Sequence, residues 1–270
     1  MIAVVDLDST LIDTIYNKEF KENKFLKKVP LCGALPEFIS LRPNVKEFLQ
    51  FCRKNFSKVI LCTFSQKNRA ETILDMFGLE EYFDQIIGCE VLIGNNIPRI
   101  NDNFVLIDDA PLNSCYASRK LEYLGINLEH KTRNRVELSK TPIIFKKIDN
   151  ILINILQYDF RFDDELKEAE RDRELIGAIE RIGEEMKKEE ERKQRIFDQI
   201  KPVIEEISEV RPITRQSAIF TELSFDELML SDLFIEIEEI FGIDIPDELT
   251  KETKTIEDIL VYIDMQLLSL

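Results

Sequence analysis

Two aspartates stand two residues apart directly behind a short apolar run: Ile2-Ala3-Val4-Val5, then Asp6-Leu7-Asp8-Ser9-Thr10. An apolar run without alternation reads as a strand covered on both faces, and such strands belong to parallel sheets flanked by helices. Open parallel sheets take their ligands just beyond the carboxyl ends of their strands. Asp6 and Asp8 fall at that place. One carboxylate there can attack an electrophile, the other can move protons, and both can gather around a hard cation such as Mg²⁺, which takes oxygen ligands.

Charged turns after strands produce such pairs often, so the weight comes from two further runs. Lys58-Val59-Ile60-Leu61-Cys62 ends in Thr63-Phe64-Ser65, and Phe104-Val105-Leu106-Ile107 ends in Asp108-Asp109. Three strands then deliver acids, a hydroxyl and an acid pair to one edge of one sheet.

With these motifs, residues 1 to about 125 resemble the haloacid-dehalogenase-like (HAD) phosphohydrolases. Leu41-Arg42-Pro43-Asn44-Val45-Lys46-Glu47-Phe48-Leu49 with Cys62-Thr63-Phe64-Ser65 is similar to the small C-terminal-domain phosphatases and their NLI-interacting relatives. Leu106-Ile107-Asp108-Asp109-Ala110-Pro111 is more similar to the 5′-deoxyribonucleotidase branch. The resemblance implies that Asp6 is the nucleophile and forms an aspartyl-phosphate. It implies that Asp8 is general acid and then base, and that Thr63 hydrogen-bonds the phosphoryl group. Asp108 and Asp109 are expected to hold Mg²⁺ with Asp6 and the backbone carbonyl of Asp8. The physics is coherent, because a carboxylate and a phosphate repel until a cation neutralises the site.

The family also carries a lysine that pairs with the nucleophile. Between Phe83 and Phe104 the one basic residue is Arg99, nine positions before Asp108. Arg99 is therefore the expected phosphate clamp, supplying a bidentate fork in place of an ammonium. A surface position for Arg99 would instead point to a weak or inactive site.

Between Ile15 and Arg42 there is too little chain for a large cap domain. A flap or a small helical insert is expected, leaving an open site that favours large or extended substrates, such as a phosphoprotein or a nucleic-acid end, with a nucleotide or small metabolite still open. Lys18, Lys21, Lys24, Lys27 and Lys28 lie at roughly helical spacing in it. They are read as a solvated face, or as a lure for phosphate.

The chain has 270 residues and a net charge of −16, unevenly spread. Residues 1–158 carry 21 basic against 20 acidic residues, and residues 195–270 carry 6 against 18. The acidic C-terminal part is a poor partner for nucleic acid and suits a basic protein surface. No run reaches the ~20 apolar residues of a membrane span, and the first residues do not read as a signal peptide. A cytoplasmic protein is expected. Cys32, Cys52, Cys62, Cys89 and Cys115 are scattered and read as reduced core or near-core residues. The single histidine, His130, reads as a loop residue.

Residues 159–194 mix charges at i, i+4 spacing, as in Glu184–Lys188 and Glu189–Lys193, and predict an exposed helix. Leu175, Ile179, Ile182 and Met186 form its narrow apolar stripe. Further on, Leu228, Phe234, Ile237 and Phe241 predict an amphipathic helix stopped by Gly242 and Pro246, and Thr255 with Asp258 predicts the start of another.

With Ser217–Leu228, Leu233–Pro246 and Thr255–Ile263, residues 195 to 268 resemble acyl carrier proteins. Such proteins carry phosphopantetheine on the serine of an Asp-Ser-Leu motif. Here the stretch is Asp226-Glu227-Leu228, so Glu227 occupies the attachment position and no phosphopantetheine is expected. What remains is an acidic face, Asp232, Glu236, Glu238 and Glu239, expected to dock a basic protein.

The expected architecture is an α/β HAD-like domain over residues 1–158 with a Rossmann-like parallel sheet and little or no cap. A charged helical linker comes next over 159–194, then a small acidic all-α four-helix bundle over 195–270. The expected function is a Mg²⁺-dependent phosphomonoester hydrolase with a carrier-like docking module. Two alternatives stand beside it: a catalytically weak scaffold, and a glyceryl- or acyl-transfer enzyme of a carrier-dependent pathway.

Overall fold

The structure, a computed structural model, describes residues 1–16, 26–29, 37–94, 97–100, 102–110, 114–125, 151–155, 172–208, 210–246 and 249–269. They fall into two compact units, the first reaching Ile182 and the second starting at Gly183.

The first unit is built on five parallel strands: β1 (Ile2–Val5), β5 (Lys58–Cys62), β6 (Gln85–Ile87), β7 (Phe104–Asp108) and β8 (Ile151–Asn154), in the order β6-β5-β1-β7-β8. Both faces of β1 and β7 are buried, which is why their sequences are unbroken apolar runs. From β1 the chain steps outward to β5 and β6, then returns to lay β7 on the opposite side of β1. The order therefore reverses at β1, and a crevice opens at the carboxyl ends of β1 and β7. Val5 is in register with Leu61 and Ile107, so Asp6, Cys62 and Asp108 emerge side by side.

Helix α1 (Val45–Asn55) buries Val45, Phe48, Leu49 and Cys52, an i, i+3, i+4, i+7 face. Each such side chain adds about 1.5–3 kcal/mol of burial. Helix α2 (Lys67–Phe77) buries Ala70, Ile73 and Leu74 and ends at Gly78, whose φ of 63° takes the left-handed cap that favours glycine. A one-turn helix, α3 (Cys89–Leu92), precedes β7, and α4 (Cys115–Tyr123) comes after it with Ser114 as N-cap. Cys52 and Cys62 are buried free thiols as expected, but Cys115 is exposed.

Among the described residues, the insert after the first motif consists of strands. β2 (Ile12–Tyr16), β3 (Leu26–Val29) and β4 (Glu37–Leu41) form an antiparallel sheet in the order β2-β4-β3. Lys27 and Lys28 lie in β3, so they do not share a helical face. Lys27 is engaged, donating to the Met76 carbonyl at 2.6 Å over the Phe77 ring. Lys18, Lys21, Lys24, Cys32 and His130 lie outside the described residues.

Helix α5 (Glu174–Ser208) runs unbroken through residue 194, the expected boundary, and the division between the units falls after Ile182. Its first turns bury Leu175, Ala178 and Ile182, while Ile179 and Met186 of the expected stripe are half-buried.

The second unit packs the rest of α5 with α6 (Glu227–Phe241), α7 (Leu249–Glu252) and α8 (Ile256–Ser269) around Ile200, Ile204, Leu233, Ile237, Ile259 and Ile263. The buried face of α6 is Leu230, Leu233, Phe234 and Ile237; Leu228, expected in that stripe, is 72% exposed, about half a turn out of phase. Gly242 ends α6 with φ 65°. Thr255 and Asp258 form a reciprocal cap: the Asp258 carboxylate accepts from the Thr255 amide at 2.8 Å, and the Thr255 hydroxyl accepts from the Asp258 amide at 3.4 Å. Among the described residues no helix is long and apolar enough to cross a membrane.

Candidate active site

The crevice at the reversal point holds four charged groups in contact. Asp6 and Asp108 are buried at the ends of β1 and β7, and Asp109 is half-buried beside them. One carboxylate oxygen from each of the three lies within 4.8 Å of the others. Thr10, fully buried, ties the group together. Its hydroxyl lies 3.2 Å from Asp6 Oδ2 and 3.1 Å from Asp109 Oδ1, and accepts the Asp109 amide at 3.2 Å.

The fourth charge is Lys120. Its Nζ donates to Asp6 Oδ1 and to Asp108 Oδ2, both at 2.6 Å, and its side chain is 2% exposed. Arg99, the expected clamp, is exposed in the segment before β7 and is not brought to the carboxylates. The charge arrives from the other side of Asp108, on α4, twelve residues later. The signal in the sequence is slight: Ala117, Lys120, Leu121 and Leu124 occupy i, i+3, i+4, i+7, so a lysine stands where an apolar residue is expected.

Burial pushes the Asp6 carboxyl up to about 8; Lys120 opposes the rise and Asp108 and Asp109 add to it. Burial by itself would depress the Lys120 ammonium, but Asp6 and Asp108 outweigh it and hold its pKa above the usual lysine range. Burial and Asp108 also raise Asp109. Three carboxylates against one ammonium leave an excess of negative charge in a dry place. A hard divalent cation is the natural complement, and the donor set, all carboxylate oxygen, suits Mg²⁺.

Asp8 stands apart from that cluster, its side chain 38% exposed. Its carboxylate accepts Ser65 Oγ at 2.5 Å and Arg69 at 3.0 and 3.2 Å, with Thr63 Oγ1 at 3.5 Å. Arg69 also donates to Ser65 Oγ at 2.6 Å and to Thr14 Oγ1 of β2 at 3.0 Å. So Asp8 is clamped in a bidentate fork at the partly exposed edge of the site. Sequence reasoning misses Arg69 and the part Ser65 plays, because only the start of α2 brings Arg69 back over the strand end. The fully buried Thr63 accepts the Ser65 amide at 3.0 Å and lies between Asp8 and the sheet.

In the second unit, α6 begins at Glu227. The Asp226 side chain caps it, accepting the Met229 amide at 2.8 Å. Asp232, Glu236 and Glu239 are exposed on this helix beside the exposed Leu228, Ile235 and Ile240. Glu238 departs from the expected face: its carboxylate turns back to accept the Ile245 amide at 2.6 Å and fixes the helix exit.

A carboxylate triad at two strand ends, a threonine at a third and a buried lysine among them define a HAD-like phosphatase, an enzyme acting on phosphoric monoesters. Residues 1–121 match the model of the NLI interacting factor-like phosphatases. The C-terminal part matches acyl carrier proteins. That of Wolinella succinogenes is 37% identical over 71 residues, 26% of this chain and 93% of the carrier. That of Coprothermobacter proteolyticus is 30% identical over 77 residues, 28% of this chain and 94% of the carrier. The chain belongs to the acyl carrier proteins through its C-terminal part, and residues 1–121 are the stretch that matches the phosphatase family. Among solved structures, a variant of the fission yeast RNA polymerase II CTD phosphatase Fcp1 bound to beryllium fluoride aligns with TM-score 0.34 and 14% identity, covering 96% of this chain and 69% of that one. Another Fcp1 structure aligns with TM-score 0.39 and 13% identity, covering 96% and 68%. These likenesses are too slight to bear on substrate.

Proposed function

We propose that this protein is a Mg²⁺-dependent phosphomonoester hydrolase that works through an aspartyl-phosphate on Asp6. The observation that carries the reading is Lys120 held between Asp6 and Asp108 beside a third carboxylate. That arrangement supplies the cation which Arg99 does not, and it removes the support for a degenerate scaffold. Asp6, Asp108 and Asp109, with the backbone carbonyl of Asp8, would hold the metal, whose chemistry is to neutralise charge between carboxylate and phosphate.

In the first step an Asp6 oxygen attacks phosphorus and the bond from phosphorus to the leaving oxygen breaks, with Asp8 giving that oxygen its proton. In the second, water attacks phosphorus, Asp8 takes the water's proton, and the bond from phosphorus to Asp6 breaks to release phosphate. Lys120 orients Asp6 and offsets its charge. Thr63 hydrogen-bonds the phosphoryl group, and Arg69 with Ser65 keeps the Asp8 carboxylate aimed at the mouth. The substrate is a phosphorylated protein, nucleotide or metabolite; the small flap favours a large or extended one.

The carrier-like unit serves as an acidic docking module without phosphopantetheine. Glu227 occupies the first position of α6, where a transferase needs a serine hydroxyl. Asp232, Glu236 and Glu239 offer the face for a basic protein, and Glu238 supports the turn beneath it. Glu227 also speaks against the glyceryl- or acyl-transfer alternative.

The test is hydrolysis of an aryl phosphate with Mg²⁺ and with EDTA. Activity is expected only with the metal, and Asp6→Asn should abolish it, because an amide is a far poorer nucleophile. Wild-type turnover in Asp6→Asn would falsify the mechanism.

A further inference from the structure

The segment matched by the phosphatase family stops at residue 121, yet a carboxylate from well beyond it reaches the loop that carries the motif-one aspartates. The Arg42 side chain has no solvent exposure. Its Nη1 donates to the carbonyls of Ser9 at 3.2 Å and Thr10 at 3.0 Å, and its Nε faces both oxygens of Asp172 at 3.0 and 3.2 Å. Ser9 sits at φ 59°, a left-handed turn that a non-glycine residue keeps only when its surroundings hold it. Thr10 in turn bonds Asp6 or Asp109 through its hydroxyl.

Asp172 is itself well anchored. It accepts the Glu174 amide at 3.1 Å and so caps α5, whose Leu175, Ala178 and Ile182 are fully buried in the same unit. A path of hydrogen bonds therefore runs from the start of α5 through Asp172 and Arg42 to Ser9 and Thr10, and ends on the nucleophile.

We infer that Asp172 is a positioning residue of the phosphatase site, acting through Arg42 on the loop that carries Asp6, Asp8 and Thr10. The inference rests on the phosphatase function proposed for that site. Removing the carboxylate that faces a buried guanidinium is costly, and the guanidinium shifts toward water or another anion. The planar fork that holds two successive carbonyls then loses its register. A displacement of about 1 Å at a reacting group can cost about 10²-fold in rate, so a modest shift of this loop is felt at once. The catalytic unit accordingly extends past the family match into the first turns of α5.

The decisive variant is Asp172→Asn in the full chain. Asparagine caps a helix as well as aspartate does, so the change removes the charge and keeps the cap. With Mg²⁺ and an aryl phosphate, kcat is expected to fall about ten-fold or more while KM stays within about three-fold. Amide hydrogen exchange should quicken at residues 9–12 and stay slow in β5 and β7, a local loosening that general destabilisation would not give. Wild-type kcat with unchanged exchange at residues 9–12 overturns the inference while leaving the phosphatase function intact. An inert wild type overturns that function and the inference with it. If Asp172→Asn melts below the assay temperature, Asp172→Glu decides: the charge is kept but displaced by one methylene, and kcat should drop several-fold at unchanged melting temperature. Unchanged kcat there is equally fatal.

Discussion

The two units use charge in opposite ways. Residues 1–158 are nearly neutral in composition, yet they bury Asp6, Asp108 and Lys120 together, with acids in excess. The C-terminal part is strongly acidic, yet its inward-facing charges are matched. Asp264, 1% exposed, receives two bonds from Arg192 at 2.7 and 3.0 Å. Arg215 bridges Glu190 and Glu257, and Lys193 bridges Glu189 and Glu257. Asp232, Glu236 and Glu239 of α6 face solvent. Net charge therefore says little about where chemistry sits. An unbalanced buried cluster asks for a cation and marks a reaction site, whereas a balanced one fastens helices.

Lys120→Ala is the harshest way to break this comparison. It strips the buried Lys120 ammonium from three carboxylates, and turnover should fall on the order of 10³-fold or more. Breaking a buried pair of this kind costs about 3–5 kcal/mol in folding. Added Mg²⁺ should restore part of the lost melting temperature and none of the rate. Arg99→Ala is the control, and its turnover should stay within about two-fold of wild type, because surface substitutions have small effects.

Arg69→Ala should come next, with turnover down on the order of 10–10²-fold as Asp8 loses its clamp. A loss no larger than that of Arg99→Ala would return Arg69 to a merely structural role.

The matching experiment in the second unit is Asp264→Asn. Removing one member of this half-dry pair should cost about 2 kcal/mol, or roughly 10 °C of melting temperature for a unit of this size. Turnover measured below that melting point should not move. A parallel fall in turnover would mean that structure and chemistry are not divided between the two units in this way.

The smallest expected effect is none at all. Incubated with coenzyme A and a broad-specificity phosphopantetheinyl transferase, the protein should gain no mass. Glu227→Ser restores a hydroxyl at the exposed start of α6 and is the variant expected to become modified. A mass gain in the wild type, lost in Ser224→Ala or Ser231→Ala, would move the attachment point and return the carrier alternative.

Legibility tracked locality. Asp6, Asp8, Thr63, Asp108 and Asp109 could be read because they stand at the ends of three apolar runs, and parallel strands deliver the residues at their carboxyl ends to one edge of the sheet. The carrier-like helices could be read from stripes and caps, since Gly242, Thr255 and Asp258 act within a turn of their own positions. The flap could not. Lysines spaced like a helix lie partly in β3, because β4 pairs with strands on both its sides and cross-strand bonds leave no period in the sequence. Leu228 could not either, because an apolar residue beside a stripe looks the same as one inside it until a partner surface fixes the phase of the helix.

Sequence by itself thus determined the class of sheet, the edge at which the acids gather, and the acidic helical bundle beyond it. Only the tertiary structure decided which cation answers the acids, Lys120 and not Arg99, and which arginine holds Asp8. It alone joined Arg42 to Asp172 across 130 positions. Strand order and helix packing select those partners through space. A buried charge is satisfied by whichever opposite group the fold brings within about 3 Å, and separation along the chain carries no record of that choice.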